Sequence, residues 1–363
     1  MASGEPEARR RNEQLVQQLE SAGTLRDAAV AAAFRAVLRH RFLPDRPLEE
    51  VYEDVAIMTK IGEHGGPVSS SSQPAIMAIM LQLLELRPGH RVLEIGAGTG
   101  YNAALIDHLV GRDGHVVSLD IDADLADQAR AHLAAAGAGA VEVVRTDGAD
   151  GWAAGAPYDR IIVTAGADDV SPAWVEQLVE QGRLVLPLGL GGPGQQCAAL
   201  VRHGRSLTSE RLCPCGFMPL RGGMAPTPPA AGEITAWLDA GGRPTGHLIP
   251  PADVSAGFEA WLGLVADGYV RIQLPSGEPA FGLRDAAGMA LVPGDGEGRT
   301  VLAFGDGDAA AARLALAHRA WTIGRPALDR MRITVHPAGE EPPPGPSVRV
   351  VRRPRHTFVV RAA

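Results

Sequence analysis

Arg91-Val92-Leu93-Glu94-Ile95-Gly96-Ala97-Gly98-Thr99-Gly100-Tyr101 decides how this chain is read. Residues 91 to 95 form a short apolar run with one carboxylate inside it, the composition of a buried strand. Three glycines at alternate positions then turn the chain towards a helix starting near Tyr101. Glycines let the backbone turn sharply and approach a ligand closely. A loop between a strand's C-terminal end and a helix's N-terminal end is where open α/β sheets bind ligands. By itself the loop is a weak signal, and two later stretches reinforce it. Val116-Val117-Ser118-Leu119-Asp120 reads as a second strand, its terminal carboxylate about 20 residues on, where a ribose diol would be gripped. Ile121 follows directly. Residues 141 to 146 read as a third strand with an acidic end at Asp147-Gly148. Each acid has a plainer reading, Asp120 as a helix cap and Asp147 as a turn residue. Asp122 and Asp124 read as solvated acids near the next helix.

Outward from this centre the pattern alternates. Strands are expected over 91–95, 116–120, 141–146, 159–164 and 183–188, and helices over 101–110, 123–136 and 171–180. Near-continuous apolar strands separated by helices predict an α/β fold with a parallel, doubly wound sheet. Residues 196–203 and 205–219 read as hairpin strands at its end. Upstream, 9–20 is a polar helix with Leu15, Val16 and Leu19 on one side. Thr24 is the expected cap of a second helix, with Asp27 as a capping-box acid. Arg39-His40-Arg41 reads either as functional or as a basic helix end complementing the dipole. Residues 45–68 look like a loop. Pro74 suits a first helical turn and a preceding serine its cap, and Ile76, Ile79, Met80, Leu83 and Leu84 form a helical stripe. The serine run 69–72 reads equally well as a flexible loop.

Residues 223–232 are a Pro/Gly-rich break and the expected linker, so the domains are read as 1–222, with helices and a substrate-side loop over 1–90, and 233–363. In the second, Phe258, Trp261, Leu262 and Val265 share a helical face, as do Leu314, Ala317, His318 and Trp321. Strands are expected at 301–304, 332–336, 348–352 and 357–361, giving a smaller α+β domain.

The chain has 363 residues and a net charge of −8, which argues against a large nucleic-acid footprint as a whole-chain property. No run of about 18 apolar residues spans a membrane, and the N-terminus lacks a signal-like apolar region, so a cytoplasmic protein is expected. Cys197, Cys213 and Cys215 read as reduced strand cysteines. Gly305-Asp306-Gly307-Asp308 lacks the later acidic ligand of a calcium loop. No metal site is expected.

The Glu-x-Gly-x-Gly-x-Gly pattern lacks dinucleotide spacing and resembles the S-adenosylmethionine site of class I methyltransferases, where a carboxylate at Glu94 suits a cationic cofactor. Over residues 1 to about 222 the chain resembles protein-L-isoaspartate O-methyltransferases. The resemblance is carried by Arg39-His40-Arg41-Phe42-Leu43-Pro44, Tyr52-Glu53-Asp54, Ser71-Ser72-Gln73-Pro74, Val92 to Gly100, Asp120, Asp147-Gly148, Tyr158-Asp159, Gly182 to Gly189 and Phe217-Met218-Pro219-Leu220. It implies that Ser72 is the active-site hydroxyl, with Ser70, Ser71 and Gln73 around the substrate. It implies that Glu94, Gly96, Gly98, Gly100, Asp120, Ile121, Asp147 and Gly148 hold S-adenosylmethionine. Two departures stand out. The segment usually written Gly-x-Gly-Gln-Thr-Ile-Ser is here His64-Gly65-Gly66-Pro67-Val68-Ser69-Ser70-Ser71-Ser72, and the chain continues long after Arg221. Both resemble a branch tied to ribosomally made, modified peptides (RiPPs), often beside an ATP-grasp ligase. That branch implies methylation of an L-Asp in a macrocyclised precursor peptide, leading to aspartimide or isoaspartate, with the C-terminal domain recognising the peptide. The alternatives are repair methylation of isoaspartate, and, from another class, a small-molecule or RNA methyltransferase.

Overall fold

The computed structural model describes residues 4–62, 65–190, 195–225, 232–255, 257–294, 299–326, 330–340 and 349–362. His64, most of the 223–232 break and the prolines of 342–346 lie outside the described residues. The chain divides into two compact units. One comprises Met1–Pro187, Cys197–Arg211 and Cys215–Ala225, and the other Leu188–Gln196, Leu212–Pro214 and Pro226–Ala363.

The first unit opens with α1 (Glu5–Ser21), α2 (Ala28–Ala36), a 3-10 turn at Arg39–Phe42 and α3 (Leu48–Val51). Leu15, Val16 and Leu19 are buried as expected. Asp27, not Thr24, caps α2: its carboxylate accepts the Ala29 and Val30 N–H groups, the usual N-cap bond. Residues 45–68 are not merely a loop. They contribute α3 and the antiparallel pair β1 (Ile57–Ile61) and β2 (Pro67–Ser71), registered Ile57 to Ser71 and Met58 to Ser70. α4 (Pro74–Leu84) follows. Its cap residue is Gln73, whose side chain makes no cap bond. The orphan Ala75 N–H goes instead to Asp54, 21 residues upstream, at 2.8 Å. The buried face of α4 centres on Met77, Met80, Leu81 and Leu84, so the expected stripe is rotated, with Ile76 and Ile79 half-buried.

The alternating region then runs β3 (Arg91–Ile95), α5 (Tyr101–Val110), β4 (His115–Asp120), α6 (Ala123–Ala136), β5 (Glu142–Arg145), β6 (Tyr158–Val163), α7 (Pro172–Gln177), β7 (Leu178–Leu188), β8 (Gln195–His203) and β9 (Ser206–Cys215). The strand order is β9-β8-β7-β6-β3-β4-β5. β3 pairs in parallel with β4 and β6, β4 with β5, and β6 with β7. The chain fills one side of β3 with β4 and β5 and then crosses to β6 on the other, so β3 stands at the topological switch point where such sheets bind ligands. Val92, Leu93 and Ile95 are almost wholly buried. Each such side chain contributes about 1.5–3 kcal/mol, which offsets the burial of a carboxylate between them. In this region two strand boundaries shift by several residues from expectation. The chain leaves α7 at Gln177 and is extended from Leu178, five residues early, because the buried Leu178 pairs with Tyr158 at the start of β6. β9 ends at Cys215, and Phe217–Leu220 does something else, described below.

The second unit is β-rich. It contains α8 (Gly232–Asp239), β10 (Arg243–Ile249), α9 (Pro251–Ser255), α10 (Phe258–Val265), β11 (Tyr269–Gln273), β12 (Pro279–Arg284), β13 (Gly288–Pro293), β14 (Arg299–Gly305), α11 (Asp308–Gly324), β15 (Met331–Pro337), β16 (Arg349–Arg352) and β17 (His356–Ala362). Five strands form the order β10-β14-β13-β12-β11, antiparallel throughout. β15 and β16 flank β17, both antiparallel to it. Phe258 of α10 and Trp321 of α11, the anticipated helical faces, meet at 5.6 Å between ring centres. Among the described residues no helix is long and apolar enough to cross a membrane.

Candidate functional site

The glycine loop follows β3 with backbone angles only glycine adopts easily: φ is +102° at Gly96, +52° at Gly98 and +86° at Gly100. Space is as restrictive as conformation. A Cβ on Gly96 would lie 2.5 Å from Thr164 Oγ1, and one on Gly100 3.2 Å from the Ala129 carbonyl of α6. Gly148, just beyond β5, packs so closely on Ile95 that a Cβ would sit 2.4 Å from its Cγ2. Thr164, which the sequence did not single out, donates to the Ile95 and Gly96 carbonyls at 3.1 and 2.8 Å and fixes the loop's entry.

Beneath the loop, Glu94 is fully buried. Its carboxylate accepts from Asn102 Nδ2 at 2.8 Å and from the Ser118 hydroxyl opposite it in β4. Burial pushes its pKa up to about 7, against the lowering effect of those two donors. Its carboxyl group thus stands beneath the loop with both oxygens engaged inside the protein, where a cationic ligand would favour the anion.

Asp120 ends β4. Its Oδ2 accepts the Gly98 N–H at 3.0 Å and its Oδ1 the Asp122 N–H at 3.1 Å. It is not the α6 cap, a position taken by Asp122. Burial raises its pKa, and the backbone donors Gly98 and Asp122 oppose that. Ile121, half-buried, follows it. Asp147 spans a turn and a second segment: Oδ1 accepts the Ala149 N–H at 2.9 Å and Oδ2 the Gly223 N–H at 2.7 Å. Asp122 is not simply solvated. Lys60 of β1 reaches it at 3.1 Å and Asp124 at 2.7 Å, while Arg221 grips Asp122 with two nitrogens at 3.1 and 2.9 Å.

The serine segment lies beside the loop. A Cβ on Gly98 would be 3.7 Å from the Ser70 carbonyl and 3.9 Å from Ser69 Oγ, ordinary van der Waals contact. Ser69 is buried and accepts from Thr59 Oγ1 at 3.0 Å. Ser71 is buried, while Ser70, Ser72 and Gln73 are half-buried. Among the described residues the Ser72 hydroxyl has no hydrogen-bond partner; its carbonyl accepts from Arg39. Gln73 donates to the Asp54 carbonyl and carboxylate at 3.0 and 3.1 Å. Arg39 is no exposed helix end balancing a dipole, for it is wholly buried. Phe217–Leu220 lies against the C-terminal side of β6, Gly166 N–H donating to the Met218 carbonyl at 2.7 Å and Leu220 N–H to the Gly166 carbonyl at 2.8 Å. Among the described residues no group of three or more His, Cys, Asp or Glu could hold a metal ion.

A doubly wound sheet with this loop at its switch point, acids ending β4 and following β5, and a buried carboxylate beneath defines a class I S-adenosylmethionine-dependent methyltransferase. The donor set fits that cofactor: two carboxylates at the loop's rim suit a diol and an amine, and Glu94 suits a positive charge. Residues 10–225 match the family Protein-L-isoaspartate(D-aspartate) O-methyltransferase (PCMT), and the chain belongs to it. It is a protein carboxyl methyltransferase. The chain is 39% identical over 223 residues to Protein-L-isoaspartate O-methyltransferase of Methanopyrus kandleri, covering 61% of this chain and 96% of the relative. It is 42% identical over 211 residues to Protein-L-isoaspartate O-methyltransferase 1 of Rhodopseudomonas palustris strain HaA2, covering 58% and 82%. A solved protein-L-isoaspartate O-methyltransferase aligns with a TM-score of 0.56 at 26% identity, over 89% of this chain and 96% of its own. That overlap runs past residue 225, so the C-terminal extension does not by itself set this chain apart from such enzymes. The structure of a putative protein-L-isoaspartate O-methyltransferase from Plasmodium falciparum, in complex with S-adenosyl-L-homocysteine, shares the fold at 19% identity, with a TM-score of 0.51 over 58% of this chain and 98% of its own.

Proposed function

We propose that the enzyme esterifies the free carboxylate of an isoaspartyl residue in a peptide or protein, with Ser72 orienting the acceptor. The observation that carries this reading is the nearness of the serine segment to the glycine loop, close enough that a Cβ on Gly98 would come 3.7 Å from the Ser70 carbonyl oxygen; it supports an acceptor side at the serines beside a donor side at the loop. The family match and the relatives' names support isoaspartate as the acceptor.

S-adenosylmethionine supplies a methyl group on a sulfonium. Asp120 and Asp147 accept hydrogen bonds at the loop's rim, with Ile121 and Gly148 beside them, and Glu94 favours the positive charge from below. An ionised carboxylate is already a nucleophile, so no strong general base is needed, and what remains is to place its oxygen in line with the methyl carbon. A neutral hydroxyl at Ser72 orients that oxygen without competing charge. The next backbone amide nitrogen then attacks the ester carbonyl, loses its proton and expels methanol, leaving a succinimide. Methylation of a synthetic isoaspartyl peptide, absent from its L-aspartyl twin, tests this.

A second reading has its own observation. The segment leading to Ser72 reads Gly65-Gly66-Pro67-Val68-Ser69-Ser70-Ser71 in place of the family's usual Gly-x-Gly-Gln-Thr-Ile. That change falls on the acceptor side and favours an L-Asp held in a macrocyclised precursor peptide, made beside an ATP-grasp ligase and recognised by residues 233–363. Normal methylation of such a peptide by a chain cut at 223–232 would refute the recognition role.

A further inference from the structure

Arg39 is wholly buried, and among the described residues it meets no carboxylate. Its guanidinium donates to backbone carbonyls from two segments. Nη1 reaches Val51 at 2.9 Å and Glu53 at 3.2 Å; Nη2 reaches Val55 at 3.2 Å, Ser71 at 3.3 Å and Ser72 at 3.0 Å. Ser71 Oγ lies 3.3 Å from Nη2 and 3.4 Å from Nε. Taking a cation out of water is expensive, and an apolar side chain would close a core more cheaply. A planar fork with five donors is instead suited to gathering acceptors that arrive from separate directions.

What it gathers is the approach to Ser72. Glu53 and Val55 flank Asp54, whose carboxylate holds the Gln73 side chain and the Ala75 N–H. Residues 71 to 75 are therefore held by the guanidinium on one side and by Asp54 on the other. The Ser72 hydroxyl has no hydrogen bond of its own among the described residues, so its place is set by its backbone, and that backbone is set by Arg39. None of the bonds at Asp120 or Asp147 involves Arg39.

We propose that Arg39 is a positioning residue for the acceptor: through the Ser71 and Ser72 carbonyls it fixes where the Ser72 hydroxyl stands, and so governs how the substrate carboxylate is oriented and not how the methyl donor is held. This rests on the role given to Ser72 above.

The test is a double-mutant cycle in the full chain with R39K, S72A and R39K/S72A, reading kcat and KM for an isoaspartyl peptide and Kd for S-adenosylhomocysteine. Lysine keeps the charge but offers a point in place of a fork. R39K is expected to lower kcat/KM about tenfold to a hundredfold with Kd unchanged, and to cost almost nothing further in the S72A background, since coupled residues are not additive. A loss in R39K that adds in full to that of S72A, or a matching loss of cofactor affinity, overturns the proposal. S71A, which keeps the guanidinium and its other acceptors, carries the same test at smaller amplitude if lysine is not tolerated. Hydrogen exchange at residues 70–73 needs no substrate. It is expected to quicken in R39K and in S71A, and unchanged exchange in both overturns the proposal. Failure of the wild type on the isoaspartyl peptide would overturn the proposed acceptor alone, leaving the exchange measurement to judge Arg39.

Discussion

Glu94 and Ser118 stand opposite each other in parallel strands, and the serine hydroxyl donates to the carboxylate inside a fully buried pair. Burial raises the Glu94 pKa from 4.5 to about 7, so near neutrality the cofactor-free protein carries a mixture of the acid and its anion. The folded state binds the extra proton between those values, so stability falls as pH rises through that window, and the full penalty for the desolvated anion is present above it. Glu94→Gln removes the penalty, and the Ser118 hydroxyl can rotate to accept from the amide. The melting temperature of the cofactor-free variant should exceed that of the wild type at pH 8 and lose the advantage at pH 4. A sulfonium favours the anion, so S-adenosylmethionine should release protons on binding near pH 6.5, and neutral S-adenosylhomocysteine fewer. Calorimetry in buffers of different ionisation enthalpy reads this directly, and equal proton release by the two would contradict the role given to Glu94.

Ser72→Ala separates chemistry from folding. With no hydrogen bond to lose among the described residues, it should leave stability within about 0.5 kcal/mol, the usual range for such sites. Peptide methylation should fall about tenfold or more through misorientation of the acceptor. Wild-type kcat/KM in this variant would remove Ser72 from the site.

Gly222 has φ +72°, and a Cβ there would stand 2.2 Å from Asp147 Oδ2. Gly222→Ala should therefore push the 221–224 segment off Asp147 and break the Gly223 N–H bond. Hydrogen bonds to charged groups contribute about 1.5–3 kcal/mol, so S-adenosylhomocysteine should bind about tenfold more weakly or worse if Asp147 loses its position. An unchanged Kd by titration calorimetry would show that the segment does not support the cofactor.

In the second unit Asp253 is buried and accepts from His318 Nε2 at 2.8 Å and from Arg325 at 3.0 Å. Arg325 is mostly exposed and adds little. His318 is buried, packed edge-on against Phe258 at 5.0 Å. Asp253→Ala should cost about 2–4 kcal/mol by leaving that imidazole unpaired. Urea unfolding would show the loss, with cofactor affinity retained, because Glu94, Asp120 and Asp147, the carboxylates proposed to hold the cofactor, all lie in the first unit. Loss of cofactor binding in this variant would contradict that division.

The parts of the site nearest residues 91–101 were legible because they depend on local rules. β3, the glycine loop and α5 follow from an apolar run, three glycines and a helical pattern, and Asp120 and Asp147 from their places at strand ends. What escaped the sequence was held together at long range. Asp54 caps α4 from 21 residues away, so no serine was needed as the cap. Arg39 reads from sequence either as functional or as a basic helix end, since nothing local tells a guanidinium in water from one donating to Val51 and Ser72. Lys60 and Arg221, distant in sequence, both reach Asp122. β1 and β2 pair on either side of a glycine-rich stretch whose composition reads as loop. Thr164 and Asn102 carry no motif, though a polar residue just after β6 and another in the first turn of α5 are positions to inspect once the loop is recognised.

The most direct measurement is mass spectrometry of the full chain with S-adenosylmethionine and three peptides: a linear isoaspartyl peptide, its L-aspartyl twin, and a macrocyclised peptide containing L-Asp. The expected result is a gain of one methyl group on the isoaspartyl peptide, followed by loss of methanol, with the linear twin untouched. Methylation confined to the macrocyclised peptide would contradict isoaspartate as the acceptor and establish the second reading. Methylation of none of the three would contradict a peptide carboxylate as the acceptor.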